Sequence, residues 1–262
     1  GRTRFALMAV EAELKSKGVP YYKRLTANHE NESDEIEDFL LALRVLANAK
    51  DRLHLAALAK RWKTVEPSPG TETEALPIIE EMSSASSVPR AKAVAAALRA
   101  VAGRTQRLDL MPGLDSLRSY ADTLPEEGRR AIYEDAAVFT QEWDQYLRSD
   151  GSSRTIGGFM SSKALGATQQ ASREGVALLT VHSSKGLEFD VVFVAGMAEG
   201  VFPDYRALNK TKEMAEEARN AFVAVTRSKR LLYLTYPRVR MMPWGDSRRQ
   251  QPSRYLTSAG IA

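Results

Sequence analysis

"TVHSSKGLEFDVVFVAGMAEGVFP", residues Thr180 to Pro203, sets a polar turn between two apolar runs and hangs Glu188 just ahead of the second one. The flanking runs "VALLTV" (176–181) and "DVVFVAGM" (190–197) are short, β-branched and aromatic-rich, the composition of strands. A third such run, "RLLYLTYP" (230–237), follows the helix-patterned "KEMAEEARNAFVAVT" (212–226). Continuous apolar strands that alternate with helices predict a parallel sheet covered on both faces, hence an α/β fold.

Working outward, the N-terminal "RFALMAVEAELKSKG" spaces Phe5, Met8, Ala12 and Leu14 at near-helical intervals and closes on Lys15, Lys17 and Gly18, which suits a helix C-terminus. The short strand "VPYYKRL" follows it. "DEIEDFLLALRVLAN" reads as an amphipathic helix capped by Ser33 or Asp34, with Ile36, Phe39, Leu40, Leu43 and Leu46 on one face, and "DRLHLAALAKRW" as a helix beside it. From Thr64 the Pro-, Gly- and Thr-rich "TVEPSPGTETEALP" has the composition of a linker. Beyond it lie helical patterns in "VPRAKAVAAALRAVAG", "GLDSLRSYADTL" and "PEEGRRAIYEDAAVFTQEWDQYL". In the last, Pro125 stands at the start and Ile132, Ala136, Phe139, Trp143 and Leu147 share a face. "RSDGSSRTIGGF" and "SSKALGATQQASREG" read as low-order exits. The expected layout is one α/β domain in two parts, 1–63 and 175–262, interrupted by a helical insertion at 64–174.

The bulk composition excludes several classes. The chain has 262 residues, 44% hydrophobic and 27% charged, enough to bury a sizeable core. It has no cysteine, which removes disulfides, thiolate metal sites and cysteine nucleophiles, and only His29, His54 and His182 are present, so no metal site is expected. No apolar run approaches the ~18–20 residues that a membrane span needs, and charges come too early for a signal peptide, so the expectation is a cytoplasmic protein with no membrane partner. The formal net charge of +4 is mild, but its distribution is uneven. Arg227, Lys229, Arg230, Arg238, Arg240, Arg248, Arg249 and Arg254 face the single acid Asp246, with Tyr233, Tyr236 and Trp244 interleaved. Such a stretch is either a solvated face or a nucleic-acid footprint.

Ligands of parallel α/β sheets bind beyond the carboxyl ends of strands, which is where "HSSKGLEF" falls. Gly186 permits a turn that a side chain would obstruct, and His182, Ser183, Ser184 and Lys185 offer donors to phosphates. Glu188 offers an acceptor for a sugar hydroxyl. Helical spacing lines up Glu216, Arg219, Val223 and Arg227, so that Arg227 emerges at a helix end just before a strand, a position that suits a guanidinium for phosphate recognition. Each residue singly also has a plain explanation: a turn, a hydrogen-bonded histidine, a surface Glu-Arg ladder.

Taken with "EEARNAFVAVTRSKRLLYLTYP" (216–237), the opening stretch resembles motifs V and VI of the UvrD/Rep/PcrA-type superfamily 1 DNA helicases, in order and with the right spacing. "GRTRFALMAVEAELKSKGVPYY" resembles a segment starting within motif IV, and "DEIEDFLLALRVLANAKDRLHLAAL" the helix pair that follows. Residues 64–174 carry no motif of that family and correspond to its 2B insertion by position alone. The resemblance implies a RecA-like, P-loop NTPase-type 2A lobe that lacks its own P-loop and carries a mainly helical inserted domain. It further implies γ-phosphate contacts from Arg227 and Arg2, nucleotide contacts from Glu188 and Gly186, and single-stranded DNA near Thr180, His182 and Lys185. The family's second motif VI arginine is Ala218 here, and its tyrosine is Phe222.

No Gly-Lys dipeptide occurs, so no phosphate-cradling P-loop is present, and the acidic pair Asp34-Glu35 follows polar "NHENES" rather than a buried strand. By the resemblance the chain is expected to be the C-terminal half of an ATP-dependent 3′–5′ helicase, cut before motif IV and inactive alone. ATP and Mg²⁺ would be bound mainly by an N-terminal RecA-like lobe of the same polypeptide, and single-stranded DNA with a duplex junction would be the partner. Two alternatives stand beside it: the helicase subunit of a recombination helicase-nuclease, and a non-catalytic DNA- or protein-binding module on the same fold.

Overall fold

The computed structural model describes residues 1–23, 33–66, 74–102, 109–149, 154–164 and 174–261. It divides into two compact units, Gly1–Glu30 with Thr168–Ala262, and Asn31–Ala167.

The chain opens on α1 (Arg4–Ser16), where the Thr3 side chain accepts a hydrogen bond from the Ala6 amide. This cap satisfies a first-turn N–H that no helical carbonyl can reach. Gly18, at φ +64°, turns the chain out of the helix into β1 (Tyr21–Lys23).

The helical unit follows: α2 (Asp34–Ala47), α3 (Arg52–Trp62), α4 (Ala75–Ala85), α5 (Pro89–Ala102), α6 (Met111–Ala121), α7 (Glu126–Arg148) and α8 (Ile156–Ala164). Ser33 caps α2 by accepting from the Ile36 amide, as expected, and its own N–H donates to Asp135 Oδ2 at 2.7 Å. Helix α2 is the hub, with Ile36, Phe39, Leu40, Leu43 and Val45 buried. Asp38 lies among these apolar residues with no exposed surface. It accepts from Arg61 Nε, from Trp62 Nε1 at 2.9 Å and from Arg90 Nε at 2.8 Å, which ties α2 to α3 and α5. A buried carboxylate is tolerable only with partners of this kind. On α7, Ile132, Ala136, Phe139 and Trp143 are buried as the spacing predicts, and Leu147 is only partly so.

Two helices arise where linker or low order was expected. Helix α4 begins directly behind the Pro/Thr-rich stretch, whose residues 67–73 lie outside the described ones, and takes Pro77 in its first turn, where no amide is needed. Helix α8 contains Gly157 and Gly158, poor helix formers, but Phe159 packs 5.4 Å from Phe139 and edge-on at 5.1 Å from Trp143. Aromatic burial there overrides propensity. Residues 165–173 of the second expected exit are outside the described residues. The compact units also divide differently from the expected boundary near residue 63. Because Asp38 and the α2 and α3 apolar faces join α5, residues 33–63 belong with the helices rather than with the strands.

The remaining unit adds β2 (Val176–Leu178), β3 (Phe189–Ala195), α9 (Thr211–Val225), β4 (Ser228–Thr235), β5 (Val239–Met241), β6 (Ser247–Arg249) and α10 (Arg254–Ser258). Strand β1 pairs parallel with β2, and β3 parallel with β4 through the α9 crossover. At Gly175, φ is +98°, and a Cβ would collide with the carbonyl of Pro20, so only glycine lets β1 and β2 start side by side. The class is α/β with small sheets. The expectation of a sheet covered on both faces is corrected, because α9 covers one face of β3–β4 while Val191, Phe193, Leu231 and Tyr233 remain exposed on the strands. The buried side holds Val194, Ala221, Ala224 and Phe202. The basic stretch after Tyr236 forms an antiparallel hairpin, β5–β6, with Arg240 over the Phe5 ring and Arg248 over Trp244.

Candidate functional site

The loop between β2 and β3 is held by its own polar residues. Thr180 Oγ1 sits 2.9 Å from Ser183 Oγ and accepts from the Ser183 amide, while Ser184 Oγ donates to the Val181 carbonyl at 2.7 Å. These bonds close a 3₁₀ turn at His182–Ser184. Gly186 follows at φ +78°, with open space where a Cβ would point. Its turn therefore needs glycine for the backbone angle and not, as expected, to avoid a steric obstruction. The structure turns Thr180, Ser183 and Ser184 inward as the loop's frame and leaves His182, Lys185 and Glu188 exposed.

Arg227 joins this loop from the other side. Its Nε donates to the Val223 carbonyl at 3.0 Å, closing the last turn of α9, and its Nη1 donates to the Leu187 carbonyl at 3.0 Å. Its Nη2 donates to Thr226 Oγ1, and its own carbonyl accepts from the Phe189 amide at 2.9 Å. A guanidinium has five N–H donors. Three are engaged, leaving one on each Nη. Glu188 lies between Leu187 and Phe189, whose backbones bond to Arg227, and its carboxylate lies 3.8 Å from Nζ of Lys229, a member of the basic stretch whose place beside this loop is not evident from the sequence. Gly186, Glu188 and Lys229 are exposed around the half-buried Arg227.

Arg2 is placed elsewhere. Its Nε donates to both carboxylate oxygens of buried Glu217, at 2.9 and 3.1 Å, and its Nη2 lies 2.8 Å from Glu217 Oε1. Glu217 Oε2 also accepts from the Asp204 amide at 2.9 Å. Burial alone would lower the Arg2 pKa, but Glu217, Asp204 and Glu216 outweigh it and hold it above its ordinary value. Nearby Arg206 shifts down, from burial first and from the charge of Arg2 second. Glu217 sits in mid-α9, roughly 12 Å of helical rise before Val225, so Arg2 and Arg227 grip different parts of this helix. The signal for Glu217 was present in the sequence: with Ala221 and Ala224 it forms the buried i, i+4, i+7 stripe of α9. Among the described residues there is no cluster of His, Asp and Glu that could hold a metal ion, and no helix long and apolar enough to cross a membrane.

This combination of an α/β unit and a loop-anchored arginine coincides with a family match. Residues 129–238, under half of the chain, match the model of the UvrD-like helicase C-terminal domain, and the chain is similar to that family over this stretch. More particularly, it is similar to ATP-dependent DNA helicase PcrA of Staphylococcus epidermidis strain ATCC 35984, with 48% identity over 86 residues, 32% of this chain and 12% of that protein. PcrA of Staphylococcus aureus strain Mu50 is 46% identical over 84 residues, 31% of this chain and 11% of that protein. The matched segment thus spans about an eighth of the length of these relatives.

Proposed function

We propose that this chain is the C-terminal motor lobe of an ATP-dependent DNA helicase or translocase that moves 3′ to 5′ on single-stranded DNA. In this reading the strand-bearing unit is a RecA-like 2A lobe and the helical unit its 2B-like insertion, with an N-terminal RecA-like lobe of the same polypeptide as partner and the cytoplasm as location. The observation that carries it is Arg227, bonded to Leu187 beside Glu188, with an N–H left on each Nη.

Those donors and the exposed Glu188 carboxylate fit a nucleoside triphosphate, the arginine for phosphate oxygens and the glutamate for a sugar hydroxyl. ATP with Mg²⁺ supplies the phosphoryl group and its leaving group. Arg227 holds negative charge at the γ-phosphate, Gly186 lets the backbone turn there, and Lys229 keeps Glu188 in place. A positioned arginine contributes on the order of 10³–10⁵ in rate to phosphoryl transfer. Arg2, engaged with Glu217, supports the lobe through α9 and is the secondary phosphate contact. His182 and Lys185 face single-stranded DNA, with Thr180 shaping their loop. The chain alone, without a P-loop, hydrolyses no ATP.

The test is DNA-stimulated ATP hydrolysis by a longer polypeptide that includes the N-terminal lobe, with Arg227→Ala beside wild type. Loss of most turnover with DNA binding kept supports the motor. Unchanged turnover, or an inactive wild type, overturns it.

A further inference from the structure

Glu217 stands where packing alone would favour an apolar residue. It shares the buried stripe of α9 with Ala221 and Ala224, and its side chain keeps only 4% of its surface. Buried ion pairs commonly add nothing to stability over well-packed apolar side chains, so the fold by itself does not call for this carboxylate. What the carboxylate does is hold Arg2. Nε and Nη2 of Arg2 both face it, and the Asp204 amide fixes its Oε2.

A guanidinium is rigid and planar, so a grip on its Nε–Nη2 edge also sets the direction of Nη1, which carries two further N–H donors. The Arg2 side chain keeps 24% of its surface, against 4% for Glu217, so the arginine is the member of the pair that reaches solvent. Its backbone is held on both sides as well. The Gly1 carbonyl accepts from the Val181 amide at 3.0 Å, between Thr180 and His182 of the β2–β3 loop, and Thr3 caps α1.

We infer that Glu217 is a positioning residue, which presents the outer edge of Arg2 to a phosphate oxygen of the nucleotide or of the DNA backbone. This rests on the proposed role of Arg2 as a phosphate contact and adds the residue through which that role is set. At long range the charge of Glu217 opposes a phosphate. Its removal therefore strengthens binding if the carboxylate acts only through its charge, and weakens binding if it positions Arg2.

The experiment compares Arg2→Ala, Glu217→Ala, Glu217→Gln and the double variant Arg2→Ala/Glu217→Ala in two settings. Single-stranded DNA binding by the chain itself, followed by fluorescence anisotropy at several salt concentrations, reads a DNA phosphate. The KM for ATP and the kcat of the longer polypeptide with its N-terminal lobe read a nucleotide phosphate. In the setting where Arg2→Ala weakens binding, we expect Glu217→Ala to weaken it ~10-fold although a negative charge is lost, the worth of one hydrogen bond to a charged group. The double variant should be no weaker than Arg2→Ala, because the two residues act as one. On DNA, both single variants should lower the salt slope by about one ion. Glu217→Gln keeps the shape and one acceptor, and should fall between wild type and Glu217→Ala.

An impaired Arg2→Ala beside a Glu217→Ala that binds as tightly as wild type, or tighter, overturns the positioning role and leaves Arg2 its phosphate. A further loss in the double variant assigns Glu217 to the structure of the lobe and overturns it too. Arg2→Ala without effect in either setting overturns the inference together with the phosphate role of Arg2, and Arg227→Ala tells that result from failure of the motor reading. Should circular dichroism show Glu217→Ala unfolded, Glu217→Gln decides, with weaker binding in support and equal or tighter binding against.

Discussion

Arg227 and Leu187 stand forty positions apart and are joined directly, the arginine Nη1 donating to the leucine carbonyl at 3.0 Å. Through Nε the same guanidinium closes α9 on Val223, so one side chain fastens the β2–β3 loop to the helix that crosses to β4. Removing it should affect both stability and chemistry. Arg227→Ala should destabilise the chain by about 1–3 kcal/mol in urea unfolding, and Arg227→Lys by nearly as much, because an ammonium cannot span both carbonyls. An unchanged midpoint for both variants would mean that the arginine has no structural share.

Asp38 should be the most sensitive polar position of the helical unit. Asp38→Ala leaves the Trp62 indole without its acceptor and takes from Arg61 and Arg90 their buried carboxylate, leaving them the exposed Asp34, and should cost about 3–5 kcal/mol. Fluorescence of Trp62 and Trp143 during urea unfolding reports this unit, and a loss under 1 kcal/mol would contradict the network.

Two glycines should separate sterics from backbone angle. Gly186→Ala meets open space and bears only the left-handed penalty, about 1–2 kcal/mol. Gly175→Ala drives a methyl into Pro20 as well, and should disrupt the β1–β2 pairing. Equal melting temperatures for the two variants would refute the close approach at Pro20.

The exposed loop should contribute charge to DNA affinity. Lys185→Ala should weaken single-strand binding across sequences and reduce the salt slope by about one ion, measured by fluorescence anisotropy. A slope that stays the same would remove Lys185 from the interface.

Much of this molecule was legible along the chain. The 3.6-residue spacing on α1, α2 and α7, the Ser33 cap and the β-branched runs are local signals, and they name their elements because helix and strand periods are set by backbone geometry. The motifs were legible for the same reason, their residues being contiguous. What was missed depended on distant partners. Helix α8 is held by Phe159 against Phe139 and Trp143, and the β5–β6 hairpin read as a basic tail until its register paired Arg240 with Arg248.

The site divides along the same line. Sequence alone determined that Arg227 leaves a helix end, that Gly186 turns a polar loop and that no P-loop exists, since each follows from neighbours in the chain. Only the tertiary structure decided that Arg227 bonds to Leu187, that Arg2 is engaged by Glu217, that residues 33–63 join the helical unit and that one face of β3–β4 stays exposed. These are outcomes of burial: a carboxylate, a guanidinium or a strand edge taken from water must find its partner wherever the fold brings one, and chain spacing does not say where that is.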